Sequence, residues 1–156
     1  MIIMSIEVVS IVVTSISIGV TVWFGIEKKN AKAEVKKLRD YLEFKKEEEF
    51  SSKYRETLNS YTKIATRPKW KDQIQGKDIV SDIDVCLTEF NTYLPKFDLF
   101  RRQQIISNID KAKKEFAKVR KGDEDARDSN LSLLNSIDRL FNEELAEQRK
   151  SFIELI

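Results

Sequence analysis

The side chains best suited to chemistry in this sequence are cations set beside an indole. Arg67-Pro68-Lys69-Trp70-Lys71 places three cations next to Trp70 at a break between helices. An indole is a flat stacking surface for a base, and Arg and Lys meet phosphates, so the grouping suits a nucleotide. A second cluster, Arg101 and Arg102 followed by Gln103 and Gln104, falls just after a helix start at Asp98, where the helix dipole and free amides favour an anion. Each cluster has a plainer alternative. Trp70 packs as a staple over the domain, and the cations form a solvated surface or answer acidic lipid headgroups. The run Lys111, Lys113, Lys114, Lys118, Arg120 and Lys121 is a weaker candidate, because it lies opposite the apolar face of its own helix.

Catalysis has little to work with. The chain has no His, which removes the commonest general base and the commonest metal ligand. Four Gly leave little room for a phosphate-cradling loop. Asp78, Asp82, Asp84 and Glu89 match a calcium-loop spacing, but Ile83 stands where that loop needs Gly, so the segment reads as a helix with an acidic face. The single Cys, Cys86, excludes an intramolecular disulfide framework and, without a base beside it, reads as a small core residue. Glu47 to Glu49 and Asp123 to Asp125 are runs of acids, not opposed pairs. No enzyme, metal or cofactor is predicted. Charged residues make up 35% of the chain but the net charge is only +2, so no general affinity for duplex nucleic acid is expected.

The elements that position these groups begin with an apolar run. Val8 to Ile26 holds 19 residues without a charge, roughly 28 Å of helix, about one hydrocarbon core. One transmembrane helix over 1–26 is therefore expected. Ala31-Lys32-Ala33 imitates a cleavage site, yet the segment opens without Lys or Arg and carries Glu7, unlike a signal peptide. Lys28, Lys29, Lys32, Lys36, Lys37 and Arg39 crowd its C-terminal flank, which predicts an inner, plasma-membrane location with the N-terminus outside and the remainder cytoplasmic. Trp23 and Phe24 sit where an interfacial anchor would.

One heptad seam runs through this region: Glu7, Ser10, Thr14, Ser17, Thr21, Phe24, Lys28, Ala31, Val35, Leu38 and Leu42. Four of the five Ser and Thr in the span lie on it, and Ser15 does not. Small hydroxyl residues on one face let membrane helices approach and hydrogen-bond, at about 0.6 kcal/mol each, although each hydroxyl can instead bond the carbonyl one turn back. Glu7 faces a bundle interior or rests in the outer headgroups. The seam predicts a parallel homo-oligomer whose polar line, Glu7, Ser10, Thr14, Ser17 and Thr21, is a tight contact or a wet path. Lys45 and Glu49 interrupt it, so 27–50 reads as a juxtamembrane coiled-coil-like helix and 51–156 as a cytosolic helical domain.

Nothing in that domain alternates as a strand does, and the fold class is all-α. The first helix runs to about Thr66, with Leu58, Tyr61 and Ala65 resuming an apolar face. A short helix follows from Pro68 and ends before Gly76. A third, from about Asp78 to Pro95, buries Ile79, Ile83, Cys86, Leu87, Phe90 and Leu94. Asp98 caps a fourth with Ile105, Ile106, Ile109, Ala112, Phe116 and Val119 inward, stopped at Gly122. A charged loop, Gly122 to Asp128, precedes a fifth helix from about Ser129, presenting Leu133, Leu134, Ile137, Leu140, Phe141, Leu145, Phe152, Ile153 and Ile156.

With its membrane helix at Val8 to Ile26, small helical cytosolic domain, oligomeric seam and the pair Arg67 and Trp70, the chain resembles the membrane effectors of type III CRISPR antiviral defence. That resemblance implies a tetramer whose cytosolic domain binds a cyclic oligoadenylate and then perturbs or opens the membrane bundle. On chemistry, the ligand residues are expected to be Arg67, Lys69, Trp70, Lys71, Arg101 and Arg102. The competing reading is a non-enzymatic membrane anchor whose helical domain docks a protein partner.

Overall fold

The computed structural model describes the backbone of residues 2–75 and 79–153 and the side chains of residues 28–72, 74 and 79–151. Those residues form five α-helices and no strand: α1 (Ile2–Ala65), α2 (Trp70–Gln75), α3 (Ile79–Glu89), α4 (Leu99–Val119) and α5 (Glu124–Ile153). Two short 3₁₀ turns, Phe90–Thr92 and Leu94–Lys96, connect α3 to α4. The all-α expectation holds. The side chains of the expected span, its Trp23 and Phe24 anchor and the polar line from Glu7 to Thr21 lie outside the described residues. So do Gly76, Asp78 and the side chains of Phe152, Ile153 and Ile156. Among the described residues no helix is long and apolar enough to cross a membrane.

The chain divides into two compact units, Met1–Glu43 and Phe44–Ile156. In the first, every described side chain from Lys28 to Arg39 is exposed. Val35, Leu38 and Leu42 are exposed by 68%, 59% and 53%. The second unit begins at Phe44. Its part of α1 buries Phe44, Glu47, Ser51, Tyr54, Leu58, Tyr61 and Ala65, again in steps of three and four. In sequence this buried series is offset by two positions from the upstream seam. Lys45 and Glu49, which interrupt the seam in sequence, are exposed.

An aromatic cluster sits at the centre of the second unit. Phe90, in the first 3₁₀ turn, meets Phe50 at 4.8 Å, Tyr54 at 4.9 Å and Phe141 at 5.0 Å, all edge-to-face. Phe97 closes on Phe141 at 4.9 Å. Such pairs add about 0.5–1.5 kcal/mol each beyond their burial. Tyr54 donates its buried hydroxyl to the Leu134 carbonyl at 3.0 Å, tying α1 to α5. Burial pushes the Tyr54 phenol well above its usual range.

Helices α4 and α5 form an antiparallel pair, joined by a turn in which Gly122 adopts φ +85°, a conformation that favours glycine. Asp123 accepts a hydrogen bond from the Ala126 amide at 2.9 Å, and Glu124 and Asp125 complement the dipole of the first turn. The expected loop from Gly122 to Asp128 is therefore mostly helix, because its acids are start signals. Asn130, fully buried, donates to the Ala112 carbonyl at 2.9 Å and pins the pair. One expected inward residue, Ile106, is instead 41% exposed, since it neighbours Ile105 on the helix and the two cannot share a face.

Candidate functional site

Trp70 is the first residue of α2, after Thr66 and Arg67 close the end of α1 with turn hydrogen bonds. It is 3% exposed. The Arg127 guanidinium lies 5.1 Å from the ring centroid and the Lys71 ammonium 5.8 Å. Lys71 also pairs with Glu124 at 3.4 Å. The indole is buried against the domain with two cations near its ring, and in this conformation it offers no open face to a base. Lys69 and Arg67 remain exposed beside it.

The start of α4 carries the second cluster. Asp98 caps this helix as expected, accepting from the Phe100 amide at 3.0 Å and the Arg101 amide at 3.3 Å. That carboxylate occupies the place an external anion would take at these amides. Arg101 reaches across to α5, donating to Glu147 at 2.6 and 2.5 Å and to Glu144 at 2.8 Å. These bonds raise the Arg101 pKa and hold the Glu147 carboxyl below its usual range. Arg102, half-buried, donates to the Pro95 carbonyl at 3.5 Å. Arg101 stands in the first turn of α4, whereas Lys71 pairs beyond its last turn. The rest of α4 beyond Arg102, ~25 Å of helix, separates the two clusters, so they do not converge.

A third arrangement is an open groove of about 470 Å³ between α4 and α5. Phe100, 66% exposed, stands at its rim. Gln103, Gln104 and Asn108 supply amides, and Lys111 and Arg139 supply cations. Asn108 donates to the Ser136 hydroxyl at 3.2 Å across the floor. Both Gln were legible as neighbours of Arg101 and Arg102. Phe100 was not, because an exposed aromatic is visible only once the buried face of α4 is known.

No family model, curated protein or solved structure matches the chain. Its chemistry is read from its own residues.

Two further groups escape the sequence pattern. Glu47 sits in an apparent surface run of acids, yet it is 1% exposed and meets Lys96 at 3.1 Å. Its neighbour Glu48 pairs with Lys45 at 2.7 Å and with Arg149, and these partners lower its pKa, Lys45 foremost. The signal that could have found Glu47 is its place in the shifted series with Ser51, Tyr54 and Leu58. Cys86 is 2% exposed, and burial raises its thiol pKa, which fits the expected small core residue.

Proposed function

We propose that the chain is a non-enzymatic, membrane-anchored protein that associates with copies of itself beside the bilayer and presents the Phe44–Ile156 helical unit as a docking module. The observation that carries this reading is the stripe Val35, Leu38 and Leu42. Three large apolar side chains stand exposed at heptad spacing, downstream of the uncharged run Val8 to Ile26 and overlapping its basic flank. Burying each against another copy contributes about 1.5–3 kcal/mol, which one chain alone does not collect. The docking role is supported by the way the cations of the second unit are used. Arg101, Arg127 and Lys71 are committed to internal partners, which stiffens the module.

The test is flotation of the full chain with lipid vesicles, followed by carbonate extraction. The reading expects the chain to stay with the bilayer through carbonate, and a chain lacking 1–26 to remain in the aqueous phase. Release of the full chain by carbonate overturns the anchor.

A second reading keeps the ligand-gated effector and moves its site. The groove between α4 and α5 favours it, since Phe100 offers the open ring that Trp70 does not, with amides and two cations beside it. A cyclic oligoadenylate bound there would bias the arrangement of copies and thereby the polar line Ser10, Thr14, Ser17 and Thr21. Calorimetric titration of the full chain with cyclic and linear oligoadenylates expects saturable heat that Phe100→Ala abolishes. Absence of heat with every oligoadenylate overturns this second reading and leaves the anchor untouched.

A further inference from the structure

The heptad positions around the exposed stripe assign more than association. Val35 and Leu42 fall at a, Leu38 at d, Glu34 at g and Arg39 at e. One heptad earlier in the sequence, Glu27 holds g and Lys32 holds e. In a parallel, in-register pair, a g residue meets the e residue five positions on in the other copy. Glu34 then faces Arg39 of the second copy, and Glu27 faces Lys32, attractive in both cases. An antiparallel pair brings g against g and e against e, which sets Glu against Glu and Arg or Lys against one another. A slip of one heptad keeps the charges matched but sets Leu42 against Glu49. Within one chain, Glu34 and Arg39 are both exposed, and Arg39 meets Asp40 at a long 3.8 Å, so its guanidinium stays within reach of a second copy.

We infer that the second copy docks parallel and in register along Val35, Leu38 and Leu42, with orientation and alignment set by reciprocal Glu34–Arg39 pairs between copies. This rests on the self-association proposed above and names its geometry. The compact unit that begins at Phe44 marks where the pairing ends. From there the apolar series shifts to another face and is buried within its own chain.

The test uses the full chain in detergent micelles in a Cys86→Ala background, with Leu38→Cys for oxidative cross-linking and sedimentation for the association constant. In-register parallel docking expects a 38-to-38 disulfide between copies, since like d positions are opposed. Glu34→Arg is expected to weaken association about tenfold at low salt through two reversed exposed pairs, and the swap Glu34→Arg with Arg39→Glu to restore it to within about twofold. Association that persists without a 38-to-38 link, or that ignores Glu34→Arg, overturns this geometry and leaves self-association standing. A chain that stays monomeric overturns both. Glu34, Leu38 and Arg39 are exposed, so their substitutions leave the helix intact, and Cys86→Ala is common to every variant compared.

Discussion

Helix α1 uses one spacing in two ways. Val35, Leu38 and Leu42 repeat every three or four residues and stand in solvent, while Tyr54, Leu58, Tyr61 and Ala65 repeat in the same way and are buried. Periodicity therefore reports that a helix has an apolar face, and not whether that face is covered by its own chain. The covered stretch carries aromatics with partners at about 5 Å and a hydroxyl bonded to α5. The open stretch carries alternating charges and no large ring on the seam.

The sharpest way to separate the two stretches is to break one at a time. Phe90→Ala is expected to cost the Phe44–Ile156 unit about 3–5 kcal/mol in urea unfolding, because it removes a ring shared by Phe50, Tyr54 and Phe141, and to leave association unchanged. Leu38→Asp is expected to do the reverse, abolishing association with a stability change within about 0.5 kcal/mol. If Leu38→Asp unfolds the protein as Phe90→Ala does, the two stretches are not distinct.

A smaller effect is expected at Arg101. Replacing it with Ala removes the partner of Glu144, which is 7% exposed, and should cost about 1–3 kcal/mol. The neighbouring Arg101–Glu147 pair sets a pH dependence. Arg101 holds the Glu147 carboxyl below the usual carboxylate range, so its contribution is complete above that range and is lost as pH falls through the lowered value. Stability measured from pH 6 to pH 3 should decline less steeply in Arg101→Ala. An unchanged slope would show that the Glu147 pair contributes nothing in solution.

The smallest effect is expected at Trp70. Trp70→Phe keeps the buried ring but weakens the stacking of Arg127, for a loss of roughly 0.5–1 kcal/mol. A larger loss accompanied by lost nucleotide binding would return Trp70 to the ligand-contacting role first expected of it.

Much of the fold was legible because helix signals are local. Asp98 as a cap, Gly122 as a stop and the inward series Ile105, Ile109, Ala112, Phe116 and Val119 need only neighbours in sequence, and each is found in place. What was not legible depends on distant partners. Trp70 looked available because nothing near it in sequence shows that α5 brings Arg127 over its face. The pairing of Arg101 with Glu144 and Glu147 was not legible because those acids lie 43 and 46 residues away. Glu47 looked solvated because the shift of apolar face at Phe44 is visible only once the core is assembled.

The most direct test of the two uses of α1 is a distance between copies. Nitroxide labels placed singly at Lys29 and at Lys36, in Cys86→Ala and full-length protein, occupy like outer positions of successive heptads. For a parallel, in-register pair, dipolar spectroscopy should give nearly equal separations at both sites, roughly 20–30 Å from helix radius and interaxial distance. Loss of dipolar coupling at both sites, or separations that differ between them by more than a helical turn, would contradict the assignment of the Val35, Leu38 and Leu42 face to a second copy of the chain.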